Sequence, residues 1–315
     1  MTAAPRIGII GCGAIGGFYG LMLARAGFDV HFLLRSEFTA VASEGLRVNS
    51  AVHGSLHLDN VQAYPSVTDM PPCDWLLVAA KTTSNAELAP LISQAAAPGA
   101  KVVLMQNGLD VEDELRPLLP DSLHLLGGLC YIYAHRSAPG VVEHQALGGV
   151  NLGYHSGPAL DTESRQLILE QGTGLFQTAG LASKAMAELK QARWQKLVWN
   201  APFNGLAVLL NSGTSALMSN AESRALIAAL MQEVVEAASA CGYPLPAEFA
   251  GKLLAATERT PDYLPSMYHD FALQRPLEVH AIYAVPLAAA AKVGCAMPRT
   301  EMLYQSLRYL EQRQP

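Results

Sequence analysis

The sequence predicts an α/β amino-terminal domain, with a parallel sheet extended by antiparallel strands, followed by an all-α carboxy-terminal domain. Three observations predict this. An apolar run at residues 7–10 leads into a glycine-rich turn and then into helical apolar spacing over 18–26. Further apolar runs at 29–34, 74–80 and 101–105 read as buried strands, with a helix starting near Ser84 between the last two. From about Glu188 onward the pattern is almost wholly helical. A chain of 315 residues suits two domains, at about 100–200 residues each. The boundary is placed near residue 186, giving domains 1–186 and 187–315.

Composition narrows the function classes. Half the residues are hydrophobic and 15% are charged, which fills a core and argues against disorder. The net charge of -6 argues against nucleic acid or an anionic membrane as partner. Cys12, Cys73, Cys130, Cys241 and Cys295 are scattered and form no C-x-x-C, so neither a metal site nor a disulfide framework is expected. No run approaches the roughly 18 apolar residues of a spanning helix. No signal peptide is read at the start, and a reduced, cytoplasmic protein is expected.

The first strand and its turn explain the front domain. Gly11, Gly13 and Gly16 form G-x-G-x-x-G between strand and helix, with Cys12, Ala14 and Ile15 as the intervening residues. In a Rossmann-type unit the first glycine permits the tight turn, the second lets a pyrophosphate approach the backbone, and the third lets the helix pack on the sheet. The amides at the helix start face the phosphates. A plain glycine-rich βα turn is the alternative; the strand before and the helix after favour the dinucleotide loop. After the second strand comes Arg35, where a free ribose 2′-hydroxyl would ordinarily meet an acid. A guanidinium suits a 2′-phosphate, so NADP(H) is the expected cofactor. Lys81 and Asn107 follow the strands 74–80 and 101–105, and ligands of open parallel sheets bind beyond such ends.

The rest of the front domain reads as β structure and one helix. Residues 45–61 alternate around Gly54 as a β excursion. Short strands are expected at 123–126, 130–134, 141–144 and 150–154, with turns at 137–140 and 148–149. A helix follows over about 162–178. In the back domain, long helical runs cover 221–241, ending at Gly242, and 278–293, ending near Gly294.

Residues 193–206 carry the chemistry of the back domain. Lys196, Asn200 and Asn204 recur every fourth residue and share one helix face. Such a stripe faces either solvent or a polar ligand. Pro202 is expected to kink or end this helix. A second polar cluster runs from Ser266 to Asp270, and Pro276 suits the first turn of a helix with Glu278 at its positive end.

These pieces together resemble the ketopantoate reductase (2-dehydropantoate 2-reductase) family along nearly the whole chain. The matching segments are G-C-G-A-I-G-G, Arg35, Lys81-Thr82, Gln106-Asn107-Gly108, G-V-V-E-H at 140–144, W-Q-K-L-V-W-N at 194–200, S-M-Y-H-D at 266–270, and Glu278. The resemblance implies hydride transfer from NADPH to C2 of 2-dehydropantoate, giving (R)-pantoate for pantothenate biosynthesis. It implies Lys196 as proton donor, with Glu278 bonding the substrate hydroxyl. It implies Asn200, Asn204 and Ser266 on the substrate, Asn107 near the nicotinamide ribose, and Arg35 and Lys81 on the NADP phosphates. Gly205 after Asn204, Leu277 before Glu278 and His280 after it depart from the family pattern and border the substrate side. Reduction of another 2-keto acid, and a non-catalytic NADP-sensing module, are the alternatives. The partner is a small 2-keto acid, and a homodimer is one assembly open to the chain.

Overall fold

The computed structural model describes residues 5–313. The chain divides into two units: residues up to Gln106 together with Val111–Leu189, and Asn107–Asp110 together with the residues from Lys190 on.

The first unit is built on one nine-stranded sheet. In chain order it contains β1 (Arg6–Ile10), α1 (Ala14–Arg25), β2 (Asp29–Leu33), α2 (Phe38–Glu44), β3 (Leu46–Ser50), β4 (Gly54–Leu58), β5 (Gln62–Tyr64) and β6 (Cys73–Val78). Then come α3 (Asn85–Ala95), β7 (Ala96–Leu104), α4 (Val111–Leu115), β8 (His124–Ala138), β9 (Val141–Ser156) and α5 (Thr162–Thr178). The spatial order is β4-β3-β9-β8-β7-β6-β1-β2-β5. All pairs from β5 through β8 are parallel, whereas β8–β9 and β3–β4 are antiparallel. The central strands are buried on both faces, which is why they read as unbroken apolar runs. The chain leaves β1 toward β2 and returns to β6 on its other side. That reversal puts the topological switch point at the carboxyl ends of β1 and β6, where such sheets bind ligands.

Two expectations about this unit are corrected. The four short strands expected over 123–154 are two long ones, β8 and β9. The glycines at 148–149 do not reverse the chain. Leu147 (φ 68°) and Gly148 (φ 119°) form a bulge, and the register shifts between Tyr131 and Ile132. The real turn is at Gly140 (φ 71°). The excursion at 45–61 is β3 and β4, and β3 joins the main sheet by pairing parallel with β9.

The second unit is helical: α6 (Leu189–Leu209), α7 (Thr214–Ser219), α8 (Ala221–Ala240), α9 (Phe249–Thr257), α10 (Ser266–Ala272), α11 (Val285–Lys292) and α12 (Pro298–Gln312). Its core sets Trp194, Val198 and Phe203 of α6 with Ile227, Met231 and Val234 of α8. Helix α8 starts at Asn220, whose Oδ1 accepts from the amides of Glu222 and Ser223, and stops before Gly242 (φ 87°).

Here too the prolines behave differently from the sequence expectation. Helix α6 does not end at Pro202 but continues through it to Leu209. The missing amide leaves one bond unmade, and other donors reach the carbonyls beside it. Tyr283 Oη donates to Ala201 O at 2.7 Å, and Asn204 Nδ2 to Asn200 O at 3.0 Å. Pro276 is not in a first turn: residues 275–278 are non-helical and winding starts at Val279. The first turns after Glu278 form a π-helix, His280–Ala284. Pro286 cannot donate to Ile282, and the wider winding accommodates that lost bond.

Candidate active site

In the first unit the glycine loop has the geometry a pyrophosphate needs. Gly11 adopts φ 92°, and a Cβ there would lie 2.6 Å from Ala80 N, at the exit of β6. A side chain at Gly16 would collide with the Gly11 carbonyl oxygen. A Cβ at Gly13, by contrast, would meet nothing within 4 Å, so the loop backbone lies open at that position. Helix α1 begins at Ala14 with Gly13 as its cap and no acid in its first turn. The leading amides, which no helical carbonyl can reach, favour an anion. The loop therefore fits a dinucleotide. Cys12 is buried within it, and burial pushes its thiol up to about 12 against the lowering charge of Arg136. The thiol stays protonated and packs.

Arg35 stands after β2 with its side chain 89% exposed, 3.6 Å from Glu87, itself 74% exposed. Exposed pairs of this kind contribute little, so the guanidinium is available to a ligand. Lys81 follows β6 and is half-buried. Gln106, at the end of β7, has a structural role. Its Nε2 donates to Ala80 O at 2.8 Å and to Asn85 Oδ1 at 2.7 Å, tying the ends of two strands.

The second unit brings four of the expected polar residues into one chain of hydrogen bonds. Asn200 Nδ2 donates to Asn107 Oδ1 at 3.3 Å. Asn204 Nδ2 donates to the carbonyl of Asn200. Asn204 Oδ1 accepts from Met267 N at 3.1 Å and from Ser266 Oγ at 3.4 Å. Asn204 is buried and serves the start of α10, which has no other side-chain cap. Lys196 lies one turn before Asn200 on the same face of α6 and is half-buried. Glu278 is buried immediately before Val279. The Asn107 loop is held by the π-turn: Leu109 N donates to Ala281 O at 2.9 Å, and a Cβ on Gly108 would strike Ala281. Sequence reasoning missed Tyr283 and Gly108 as supports. Adjacency of Gly108 to Asn107 was the one available signal. Among the described residues, no group of His, Cys, Asp and Glu could hold a metal, and no helix is long and apolar enough to cross a membrane.

The model of the family described as "Ketopantoate reductase PanE/ApbA" matches residues 7–157, and that of its C-terminal part matches 188–311. A 2-dehydropantoate 2-reductase from a Nostoc species is 39% identical over 310 residues, covering 98% of this chain and 96% of the relative. The crystal structure of 2-dehydropantoate 2-reductase from Geobacter metallireducens superimposes with a TM-score of 0.88 at 36% identity, over 96% of this chain and 99% of that one. The Methylococcus capsulatus enzyme gives 0.83 at 34% identity, over 98% and 97%. Matched by these family models over most of its length and by a relative 39% identical, this chain belongs to the ketopantoate reductase family.

Proposed function

We propose that this protein reduces 2-dehydropantoate to (R)-pantoate with NADPH. The observation that carries the reading is the hydrogen-bonded chain from Asn107 through Asn200 and Asn204 to Ser266, with Lys196 one turn from Asn200. When bound, NADPH supplies the hydride to C2. The loop of Gly11, Cys12, Gly13, Ala14, Ile15 and Gly16 would hold its pyrophosphate, Arg35 and Lys81 would contact its phosphate groups, and Asn107 would hold its nicotinamide ribose. Lys196 Nζ donates a hydrogen bond to the ketone oxygen and releases a proton to it as negative charge develops there. The C2 oxygen becomes a hydroxyl and the lysine is left as a neutral amine, to be reprotonated from solvent. Ser266 and Asn200 orient the keto acid, and Glu278 accepts from its hydroxyl.

The test follows NADPH oxidation with 2-dehydropantoate, 2-ketoisovalerate and 2-oxobutyrate in turn. A kcat/KM highest for 2-dehydropantoate is the expected result. Preference for either of the others would mark a reductase of a different keto acid, for which Leu277 and the exposed His280 would be the first places to look. Binding of NADPH with no turnover of any would contradict a catalytic role.

A further inference from the structure

Just beyond Arg35 lies a charged group that the reading above does not use. Glu37, two residues further on, has a side chain only 7% exposed and is ion-paired to Arg136 of β8. Its Oε2 also accepts from Gly140 N at 2.8 Å, at the turn between β8 and β9. That turn is fixed a second time, since Arg47 N donates to Gly140 O at 2.8 Å. It is tightly seated, because a Cβ on Gly140 would lie 3.1 Å from Gly45 O. The hairpin tip thus grips α2 at both ends, Glu37 before it and Gly45 after it. The segment G-V-V-E-H begins at this Gly140. Arg136 also lies close enough to the glycine loop for its charge to act on Cys12.

The placement has a chemical consequence. An acid near the end of the second strand is what recognises a free ribose 2′-hydroxyl, and the same charge repels a 2′-phosphate. Here an acid sits two residues from the strand-end arginine but is turned inward and neutralised. We propose that the Glu37–Arg136 pair is a specificity determinant for a 2′-phosphorylated dinucleotide. By sequestering its own carboxylate, it leaves Arg35 as the charge presented to the ribose and fixes the loop that carries Arg35. Neither residue touches the cofactor; both act by position. This rests on the NADPH reading given above.

The experiment measures dissociation constants of NADPH and NADH by calorimetry on the full chain, and takes their ratio. The wild-type protein is expected to prefer NADPH strongly. In Arg136→Gln the carboxylate is released, and the preference should fall about tenfold, the order expected of an unscreened like charge near a phosphate. Adding Glu37→Gln to that variant removes the charge and should restore most of the preference, although the ion pair is still missing. An unchanged ratio in Arg136→Gln, or a double variant no better than the single one, overturns the proposal. Should Arg136→Gln fail to fold, Glu37→Gln alone decides. Its amide still accepts from Gly140, so the preference should hold, and a fall overturns the proposal. A wild-type ratio near one would instead overturn the phosphate reading, and this inference with it.

Discussion

Asn204 shows how one side chain can be polar and buried and carry a structural role. Its oxygen takes two donors at the start of α10 and its amide supports a carbonyl one turn back in α6. Removing it strands the Met267 amide in the interior, where an unmet donor costs about 1–3 kcal/mol. Asn204→Ala should therefore lower the melting temperature and raise KM for the keto acid, because Ser266 loses its anchor. Asn204→Asp keeps the acceptor and should retain most of the stability. Equal melting of the Ala variant and the wild type, by calorimetry, would contradict the capping role. Nothing in the sequence distinguishes this from ligand binding. Four-residue spacing places Asn204 on the face of Lys196, but only the fold puts α10 against it.

Among the elements, the β3–β4 turn is fastened to β9 by a buried Ser–His pair. Ser50 Oγ accepts from the amides of Val52 and His53, so its proton goes to His144 Nδ1, 2.8 Å away. His144 Nε2 donates to Ala146 O at 3.1 Å. Both ring nitrogens are thus used by the neutral form, and burial lowers the pKa of this histidine from its ordinary 6.5. The unfolded chain takes up the proton first as pH falls, so the contribution is present above pH 6.5 and is lost progressively below it. Urea unfolding across pH 7.5 to 5 should show stability falling with acidity, and His144→Gln should flatten that slope. The same slope in the variant would contradict the assignment. Element boundaries show where sequence signals run out. The strand β1 and its loop are legible because Gly11 and Gly16 each meet a backbone demand that only glycine satisfies. Strand β5 and helix α2 are too short for periodicity to register. The bulge at 147–148 interrupts the alternation of β9, so one long strand reads as two. The π-turn is invisible because Pro286 announces a break without saying that wider winding absorbs it.

At the scale of the whole molecule, the division of labour follows from the two units. The first supplies a glycine loop and a strand-end arginine suited to a phosphorylated dinucleotide. The second supplies a helix bearing an amine and two amides, supported by the π-turn and by α10. This plan was readable from motif order, since the glycine loop, the Asn107 turn, the lysine helix and Glu278 stand in the family's sequence. The transfer of residues 107–110 to the helical unit was not, because those four residues follow a strand of the first unit, and the bonds that tie them to the second, Leu109 N to Ala281 O, Asn200 Nδ2 to Asn107 Oδ1 and Lys190 Nζ to Asp110 Oδ1, join residues far apart in the sequence. The central claim is that Lys196 delivers the proton, and one comparison tests it most directly: turnover of 2-dehydropantoate by Lys196→Ala, with NADPH affinity measured on the same protein. The account predicts a loss of kcat of about a hundredfold or more, the scale of a missing general acid, with NADPH binding unchanged. A variant that turns over at the wild-type rate would contradict it.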